Sequence, residues 1–250
     1  MSDDRTVALE EIAGQVRVCT LCDLHKTRTR AVPGAGSPHA EILFIGEGPG
    51  YNEDKQGLPF VGRSGNLLTE LLQSIGLTRA EVFITNVVKC RPPENRDPLP
   101  VEIGTCRQYL DAQEALIDPL VIVTLGRFSM ARYFPNAKIT AIHGKPKYEG
   151  GRAYVPLFHP AAVLRNPALE QPMAEDFQRI LEALTDVKRR RAGGAPAETP
   201  PAAPARPSAP PLEPPAARKK PVEAPAPALP PEPPPAAPDD DDKPVQLNLF

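Results

Sequence analysis

Four cysteines are the residues of this chain whose type and spacing point most directly to chemistry. Cys19 and Cys22 form a Cys-x-x-Cys pair, and Cys90 and Cys106 follow at a separation of 16 positions. The 250-residue chain contains no other cysteine, so every thiol belongs to one possible tetrad. Four thiolates suit either a tetrahedral zinc ion or a [4Fe–4S] cluster. The wide separation of the second pair favours the cluster over zinc, and four buried thiols without metal are the third interpretation.

A glycine-rich turn lies between the two cysteine pairs. The residues Gly46-Glu47-Gly48-Pro49-Gly50 directly follow an apolar run. The turn lacks the Lys-Ser/Thr of a phosphate-binding P-loop and the glycine spacing of a dinucleotide site, so a turn without chemistry is one interpretation. Glu47 favours another, because a carboxylate flanked by glycines presents its oxygens and the neighbouring amides without steric cover.

The elements that must position these residues alternate between strands and helices. Four short apolar runs bounded by turn residues predict buried strands, and stretches with helical spacing separate them. This alternation favours an α/β domain with a parallel sheet covered by helices on both faces. The predicted strands are 41–46, 82–87, 120–125 and 153–158, and the predicted helices are 7–17, 64–76, 101–117, 128–133 and 174–184.

Polar side chains follow the predicted strands where the strands end. In parallel sheets, sites gather beyond the carboxyl ends of the strands. The first strand leads into Glu47, the second ends at Asn86, the third leads into Gly126-Arg127 and the fourth ends at His159. A carboxylate, an amide and an imidazole are therefore expected at one edge of the sheet. Taken singly, Asn86 could cap a turn and His159 could be a core histidine.

The C-terminal part of the chain differs in composition from the rest. Of the 34 prolines, 19 lie in the last 60 residues, and the stretch 192–243 is mainly proline and alanine. Such a segment cannot bury enough apolar surface to offset its ordering entropy, so it is predicted to be disordered. We expect a folded domain over residues 1–190, a disordered linker over 191–243 and a distinct terminal peptide over 244–250.

Neither a secretory signal nor a membrane span is apparent in the sequence. The N-terminus Met-Ser-Asp-Asp-Arg has no basic or apolar signal region, and the longest apolar run, 120–125, is far too short to cross a bilayer. We expect a cytoplasmic protein without a membrane partner, where paired cysteines bind metal more often than they form disulfides. The formal net charge of −2 gives no support to nucleic-acid binding through overall charge, so any basic surface must be local.

Assembled in order, these motifs resemble the iron–sulfur (family 4) uracil-DNA glycosylases. The resemblance covers about residues 10–185, and the combination is specific although each part alone is weak. It implies a four-stranded parallel sheet flanked by helices, a [4Fe–4S] cluster held by the four cysteines, and hydrolysis of the N-glycosidic bond of deoxyuridine in DNA, which initiates base excision repair. The matching stretches are Cys19-Thr-Leu-Cys22, Gly46-Glu-Gly-Pro-Gly50 with Glu53-Asp54, Gly57-Leu-Pro-Phe-Val-Gly62, Thr85-Asn-Val-Val-Lys-Cys90-Arg-Pro-Pro, Cys106 and His159-Pro160.

The resemblance implies a role for each residue that would touch the uracil. Phe60 would stack on the flipped base, and Asn86 would read its polar edge and reject cytosine. His159 would donate a hydrogen bond to uracil O2 as negative charge develops on the leaving base. Glu53 would help exclude the 5-methyl group of thymine.

The handling of water stays open at this point. Glu47 falls in the motif that handles water and is the second candidate catalytic residue after His159. The best-studied glycosylases carry an aspartate one position later, where this chain has Gly48. The sequence therefore does not identify the group that activates the water.

The resemblance also implies contacts to DNA, in single or double strands. Leu164 or Val163 would wedge into the space that the flipped base leaves, with Arg165 near a phosphate. Lys89 and Arg91 would add contacts to the backbone. A monomer is expected, associated with the bacterial nucleoid through its DNA substrate.

The last residues of the chain break the composition of the tail. Gln246, Leu247, Leu249 and Phe250 form a Gln-Leu-x-Leu-Phe sequence that resembles the peptide by which bacterial repair and replication proteins dock on the sliding clamp. The alternative interpretation is that these apolar residues have no binding function. A clamp bound through this peptide would raise the local concentration of the enzyme on DNA.

Two other classes of function compete with uracil excision. A non-catalytic iron–sulfur module could bind DNA after recruitment by the clamp, and an electron-transfer protein could use the cluster. Neither explains why Glu47, Asn86 and His159 follow three different strands.

Overall fold

The four apolar runs predicted as strands form the centre of a sheet in the computed structural model, which describes residues 3–193. Residues 194–250, with almost all of the predicted linker and the whole terminal peptide, lie outside this part. The strands are β1 (Ala35–Gly36), β2 (Ile42–Gly46), β3 (Phe83–Asn86), β4 (Val121–Leu125), β5 (Lys147–Glu149) and β6 (Arg152–Leu157). The helices are α1 (Asp4–Val18), α2 (Tyr51–Gln56), α3 (Arg63–Ser74), α4 (Pro100–Ile117), α5 (Arg127–Ala131), α6 (Ile139–Ile142), α7 (Pro160–Arg165) and α8 (Glu170–Ala192).

The described sheet has six strands in the order β1-β3-β2-β4-β6-β5. The four central strands are parallel, as predicted, whereas β1 pairs with β3 and β5 pairs with β6 in antiparallel fashion. The expectation of a four-stranded, wholly parallel sheet is therefore wrong at both edges. The edge strands escaped prediction because β1 has only two residues and the side chains of β5 are largely exposed, so neither forms an apolar run.

Both faces of the sheet are covered by helices, which explains the continuous apolar strands. Every residue of β2 is buried. Successive side chains of a strand point to opposite faces, so Ile42 and Phe44 join the core formed with α3 and α8, while Leu43 and Ile45 join the core formed with α1 and α4. The ring of Phe44 stacks on Phe177 of α8 at a centroid distance of 6.0 Å.

The helix boundaries differ from the predictions in two instructive places. The helix predicted over 64–76 spans Arg63–Ser74, with Gly62 at the position before its first residue. The helix predicted over 174–184 extends over Glu170–Ala192, since buried side chains recur at three- and four-residue spacing as far as Val187. No helix within residues 3–193 is long and apolar enough to cross a membrane.

The strand order creates a crevice at one edge of the sheet. From β2 the chain moves to β3 on one side, and then crosses to β4 on the other side of β2. Loops that leave neighbouring strands in opposite directions open a gap beyond their carboxyl ends. In this fold the gap lies between the loops that follow β2 and β4.

Candidate active site

A cleft of about 330 Å³ opens at the carboxyl edge of the parallel strands. It is lined by the turn after β2, the end of β3, the loop around residue 60 and the start of α7. The structure thus brings together the candidate catalytic and uracil-contacting residues, and one candidate DNA contact, from distant parts of the chain. The candidates that line the cleft are Glu47, Gly48, Glu53, Phe60, Asn86, His159 and Arg165.

Glu47 is held at the crevice between β2 and β4. Its Oε1 accepts a hydrogen bond of 3.1 Å from the backbone N–H of Phe128, at the start of α5. Gly126 makes room for the carboxylate, because a Cβ atom there would lie 2.5 Å from Oε1, and its φ of +99° also favours glycine. Burial raises the pKa of Glu47 above its ordinary value. The result is a fixed carboxylate that accepts a proton more readily than an exposed one.

The amide of Asn86 has an open hydrogen-bonding position. Asn86 is 1% exposed, and its Oδ1 has no hydrogen-bond partner among the described residues. Leaving such an acceptor unpaired costs about 1–3 kcal/mol, so its presence in a cleft suggests that a ligand supplies the donor. Gly46 lies next to this amide and must be glycine, because a Cβ atom at position 46 would lie 2.3 Å from Asn86 Oδ1.

Phe60 is held in a strained backbone conformation. Its φ of +53° lies in the left-handed region that residues with a Cβ rarely adopt. Arg79 secures this conformation by donating to the carbonyl oxygens of Pro59 (2.6 Å) and Phe60 (3.1 Å). Gly65 packs against the same carbonyl, at a place where a Cβ would lie only 1.8 Å from the oxygen. The aromatic ring is therefore presented to the cleft on a rigid support.

His159 immediately precedes α7, and its tautomer follows from its surroundings. The backbone N–H of Ala161 donates to Nδ1 at 3.1 Å, so the proton of the neutral imidazole lies on Nε2. Burial, with a smaller contribution from the charge of Arg165, lowers the pKa of His159 to about 4. At neutral pH the side chain is therefore an uncharged hydrogen-bond donor.

Glu53 connects two loops of the cleft, a role that the sequence did not indicate. Its Oε2 accepts from the backbone N–H of Gly50 at 3.1 Å, and its Oε1 accepts from Val61 (3.0 Å) and Gly62 (3.1 Å). The carboxylate thereby ties the turn after β2 to the loop that carries Phe60. Its predicted part in excluding a methyl group stays a prediction.

Two ion pairs at the rim were also missed by sequence reasoning. Arg96 forms a bidentate pair with the buried carboxylate of Glu102, at 2.6 and 3.0 Å. Asp97 pairs with Arg127 at the start of α5. The spacing of these residues gives no signal of either contact, because each pair is set by how the loop over 91–98 folds back.

The candidate DNA contacts divide into surface residues and one buried residue. Leu164 is 39% exposed on α7, beside Arg165. The guanidinium of Arg91 lies 5.2 Å from the ring centroid of Tyr51. Lys89, by contrast, is 1% exposed and its ammonium donates only to groups inside the protein. The prediction that Lys89 contacts the DNA backbone is therefore wrong.

The four cysteines line a second cavity, between the end of α1, the segment after β3 and α4. Cys90 and Cys106 are buried. Arg28 donates to Cys90 Sγ at 2.9 Å, and the backbone N–H of Lys89 donates to Cys106 Sγ at 3.3 Å. Within residues 3–193, no three His, Cys, Asp or Glu side chains converge closely enough to hold one metal ion. The four thiols therefore line one cavity, but they do not meet at a single metal position.

Comparison with known proteins places this arrangement in a family. Residues 33–185 match the model of the uracil DNA glycosylase superfamily. A protein of Sulfurisphaera tokodaii named type-4 uracil-DNA glycosylase is 50% identical over 192 residues, which cover 73% of this chain and 87% of the relative. Relatives of the same name from Archaeoglobus fulgidus and Thermotoga maritima are 48% and 45% identical, each over 70% of this chain and over 92% and 94% of their own lengths. Asn86, with its unpaired amide oxygen, and the neutral His159 lie in the part of the chain that these comparisons cover. The chain belongs to the uracil DNA glycosylase superfamily.

Proposed function

We propose that this chain excises uracil from DNA by hydrolysing the N-glycosidic bond, the first step of base excision repair. The observation that carries this function is the buried, unpaired Oδ1 of Asn86 in a cleft shared with an aromatic ring and a neutral imidazole donor. The 45–50% identity to type-4 uracil-DNA glycosylases supports the same activity.

Recognition of uracil follows from the amide of Asn86. With the base stacked on Phe60, Oδ1 would accept from N3–H and the amide nitrogen would donate to O4. Cytosine reverses this pattern, since its N3 is an acceptor and its 4-amino group is a donor. A buried acceptor that faces another acceptor loses its hydrogen bond, which disfavours cytosine.

Departure of the base requires stabilisation of negative charge on uracil. Breaking the N-glycosidic bond leaves both bonding electrons on the base and an oxocarbenium-like sugar. The Nε2–H of His159 would donate to uracil O2 as this charge develops, which is electrostatic stabilisation of the leaving group. Because the pKa of His159 is about 4, the donor is uncharged and present throughout the neutral pH range.

Water then adds to C1′ of the sugar, and a proton must be removed from it. We assign two roles to Glu47, which are to orient this water and to accept its proton. The carboxylate of Glu47 lines the cleft, and burial raises its pKa. Gly48 leaves the neighbouring position without a side chain. The products are uracil, which gains a proton, and an abasic site in DNA.

Access to the base requires that the nucleotide leaves the helix stack. Leu164, exposed on α7 beside Arg165, would enter the vacated space, with the guanidinium of Arg165 near a phosphate. Arg91, which lies over the exposed ring of Tyr51, would add a contact to the DNA backbone. These assignments rest on exposure and on position beside the cleft.

The four cysteines fit a [4Fe–4S] cluster better than a zinc ion. Four thiolates are the usual donor set of such a cluster, and all four cysteines line one cavity. Their wide spacing along the sequence favours the cluster over a single zinc ion. Cys19, Cys22, Cys90 and Cys106 would hold the group. When bound, the cluster would join the end of α1, the segment after β3 and α4 through metal–sulfur bonds.

The terminal peptide is proposed to dock on a sliding clamp. Leu247, Leu249 and Phe250 would fill an apolar pocket while Gln246 hydrogen-bonds at its rim. Support comes from the sequence, since residues 244–250 lie outside the described part of the chain. Deletion of residues 246–250 is expected to abolish clamp binding and to leave uracil excision on free oligonucleotides unchanged. Loss of intrinsic excision on deletion would contradict the proposal.

The function is tested with purified full-length protein and a labelled oligonucleotide that carries one uracil. Alkali cleaves the strand at any abasic site, and an oligonucleotide with thymine at the same position is the control. We expect cleavage at uracil only, strongly weakened in His159→Ala and Asn86→Ala. A folded protein that binds the oligonucleotide but produces no abasic site would overturn the proposed function.

A further inference from the structure

One buried cation remains without a part in the proposed mechanism. The ammonium of Lys89 donates to Thr85 Oγ1 (2.5 Å), Gln113 Oε1 (2.7 Å) and the backbone oxygen of Asn86 (2.9 Å). Three N–H groups therefore meet three oxygen acceptors, and hydrogen bonding of the ammonium is complete. The third acceptor belongs to the residue that we assign to uracil recognition.

A lysine is a costly residue at this position. Its hydrogen-bond partners are neutral oxygens, with no carboxylate among them, although Lys89 is 1% exposed. Transfer of a cation from water to a protein interior carries a desolvation penalty, which an apolar side chain of similar length avoids. An apolar side chain could fill the same space, so packing alone does not explain why a lysine stands here. A role in holding its three hydrogen-bond acceptors in place does explain it.

The surrounding network gives Lys89 a fixed position of its own. Gln113 Nε2 donates to the carbonyl of Pro33 at 2.7 Å, which anchors one acceptor between α4 and the segment before β1. The backbone N–H of Lys89 donates to Cys106 Sγ, and its carbonyl accepts from Val32 at 2.7 Å. Apart from Asn86, the groups that hold the main chain and the side chain of Lys89 do not line the cleft.

The side chain of Asn86, in contrast, has no protein partner for its Oδ1 among the described residues. Its direction before uracil arrives therefore depends on the backbone position of Asn86 and on the close approach of Gly46, where a Cβ atom would lie 2.3 Å from Oδ1. We propose that Lys89 is a positioning residue for uracil recognition, which fixes the backbone of Asn86 so that Oδ1 meets the N3–H of the base. This inference rests on the proposed function.

The test is a double-mutant cycle on the full-length protein with its cysteine site intact. Lys89→Met keeps the length of the side chain and removes its three donors. We expect it to weaken the binding of free uracil, titrated by calorimetry, about tenfold, and to weaken excision similarly in single-turnover assays. In an Asn86→Ala background the same change is expected to alter excision by less than about twofold, because the residue that Lys89 positions is already absent.

Thr124→Val is the matched control, because Thr124 is equally buried in the same sheet but does not line the cleft. Circular dichroism verifies that each variant folds, and visible absorbance verifies that each variant keeps the absorbance of the wild-type protein. If Lys89→Met fails to fold, Thr85→Val removes one acceptor of the ammonium and is expected to weaken uracil binding in the same direction, but less.

Two results would overturn the inference. One is unchanged uracil affinity in a folded Lys89→Met or Thr85→Val protein. The other is an equal loss of excision in the wild-type and Asn86→Ala backgrounds, which would indicate a general structural role. Failure of the wild-type protein to excise uracil would instead overturn the proposed function, so the two failures are distinguishable.

Discussion

The imidazole of His159 stacks on the phenyl ring of Phe60, with ring centroids 5.5 Å apart and ring planes inclined by 27°. The residue proposed to stack on uracil therefore also supports the residue proposed to stabilise its departure. Because Phe60 adopts a positive φ, whatever secures its backbone also secures the imidazole. The position of His159 thus depends on interactions made well outside the cleft, through Arg79 and Gly65.

Substitution of Gly65 by alanine is expected to lower excision strongly. The new Cβ would lie 1.8 Å from the carbonyl oxygen of Phe60, so the backbone there must move and carry both rings with it. Displacement of catalytic groups by about 1 Å typically costs on the order of 100-fold in rate. Single-turnover excision of a uracil oligonucleotide measures the effect.

Gly104→Ala is the control for this substitution. Gly104 lies within α4, and a Cβ there would meet nothing within 4 Å. Alanine is expected to leave excision unchanged and to stabilise the helix by about 0.5–1 kcal/mol. Full activity in a folded Gly65→Ala protein would show that the strained conformation of Phe60 is not needed.

The acid side of the pH profile is expected to depend on Glu47. In the proposed mechanism, excision requires an ionised Glu47 and a neutral His159. Burial lowers the pKa of His159 to about 4 and raises the pKa of Glu47 above its ordinary value. As the pH falls, Glu47 therefore takes up its proton first and kcat/KM declines with it. In Glu47→Gln we expect lower activity at neutral pH and a flat profile down to the protonation of His159. An unchanged acid decline in that variant would assign the titration to another group.

The sequence predicted the site more fully than it predicted how the site is held. Glu47, Asn86 and His159 were located because apolar runs mark buried parallel strands, and the ends of such strands must share an edge. The direction of a side chain carries no such signal. Lys89 is predicted to contact the DNA backbone, but its side chain is buried. The hydrogen bonds of Glu53 and Arg79 to backbone groups depend on loop geometry that no local pattern encodes.

Two cations around Tyr51 are expected to contribute to the salt dependence of DNA binding. Tyr51 is 55% exposed next to Gly50 of the cleft, with Lys55 Nζ 5.4 Å and the Arg91 guanidinium 5.2 Å from its ring centroid. Lys55→Gln and Arg91→Gln each remove one cation that can neutralise a phosphate. Each substitution should therefore lower the slope of log K against log salt by about 0.9 on duplex DNA and about 0.7 on single strands. Fluorescence anisotropy with an oligonucleotide lacking uracil measures the slope.

Further variants test whether DNA binding depends on the position of the cations around Tyr51 or only on the total charge. Tyr51→Phe keeps the ring face that holds both cations and should bind like the wild type, whereas Tyr51→Ala should weaken binding. Arg191→Gln is the charge control, because Arg191 donates to the carbonyl of Gly151 at the amino end of β6, the opposite edge of the sheet from the cleft. An equal change of slope in Arg191→Gln would show that only overall charge matters.

Replacement of Thr124 by valine is expected to stabilise the protein without affecting excision. The hydroxyl of Thr124 is completely buried in β4 and has no hydrogen-bond partner among the described residues. Valine has the same branched shape and removes the unpaired group, which relieves a cost of about 1 kcal/mol or more. For a domain of this size such a gain raises the midpoint of thermal unfolding by about 2–4 °C. A midpoint that stays the same or falls would indicate that an internal water satisfies the hydroxyl, and would identify β4 as a hydrated rather than a dry part of the core.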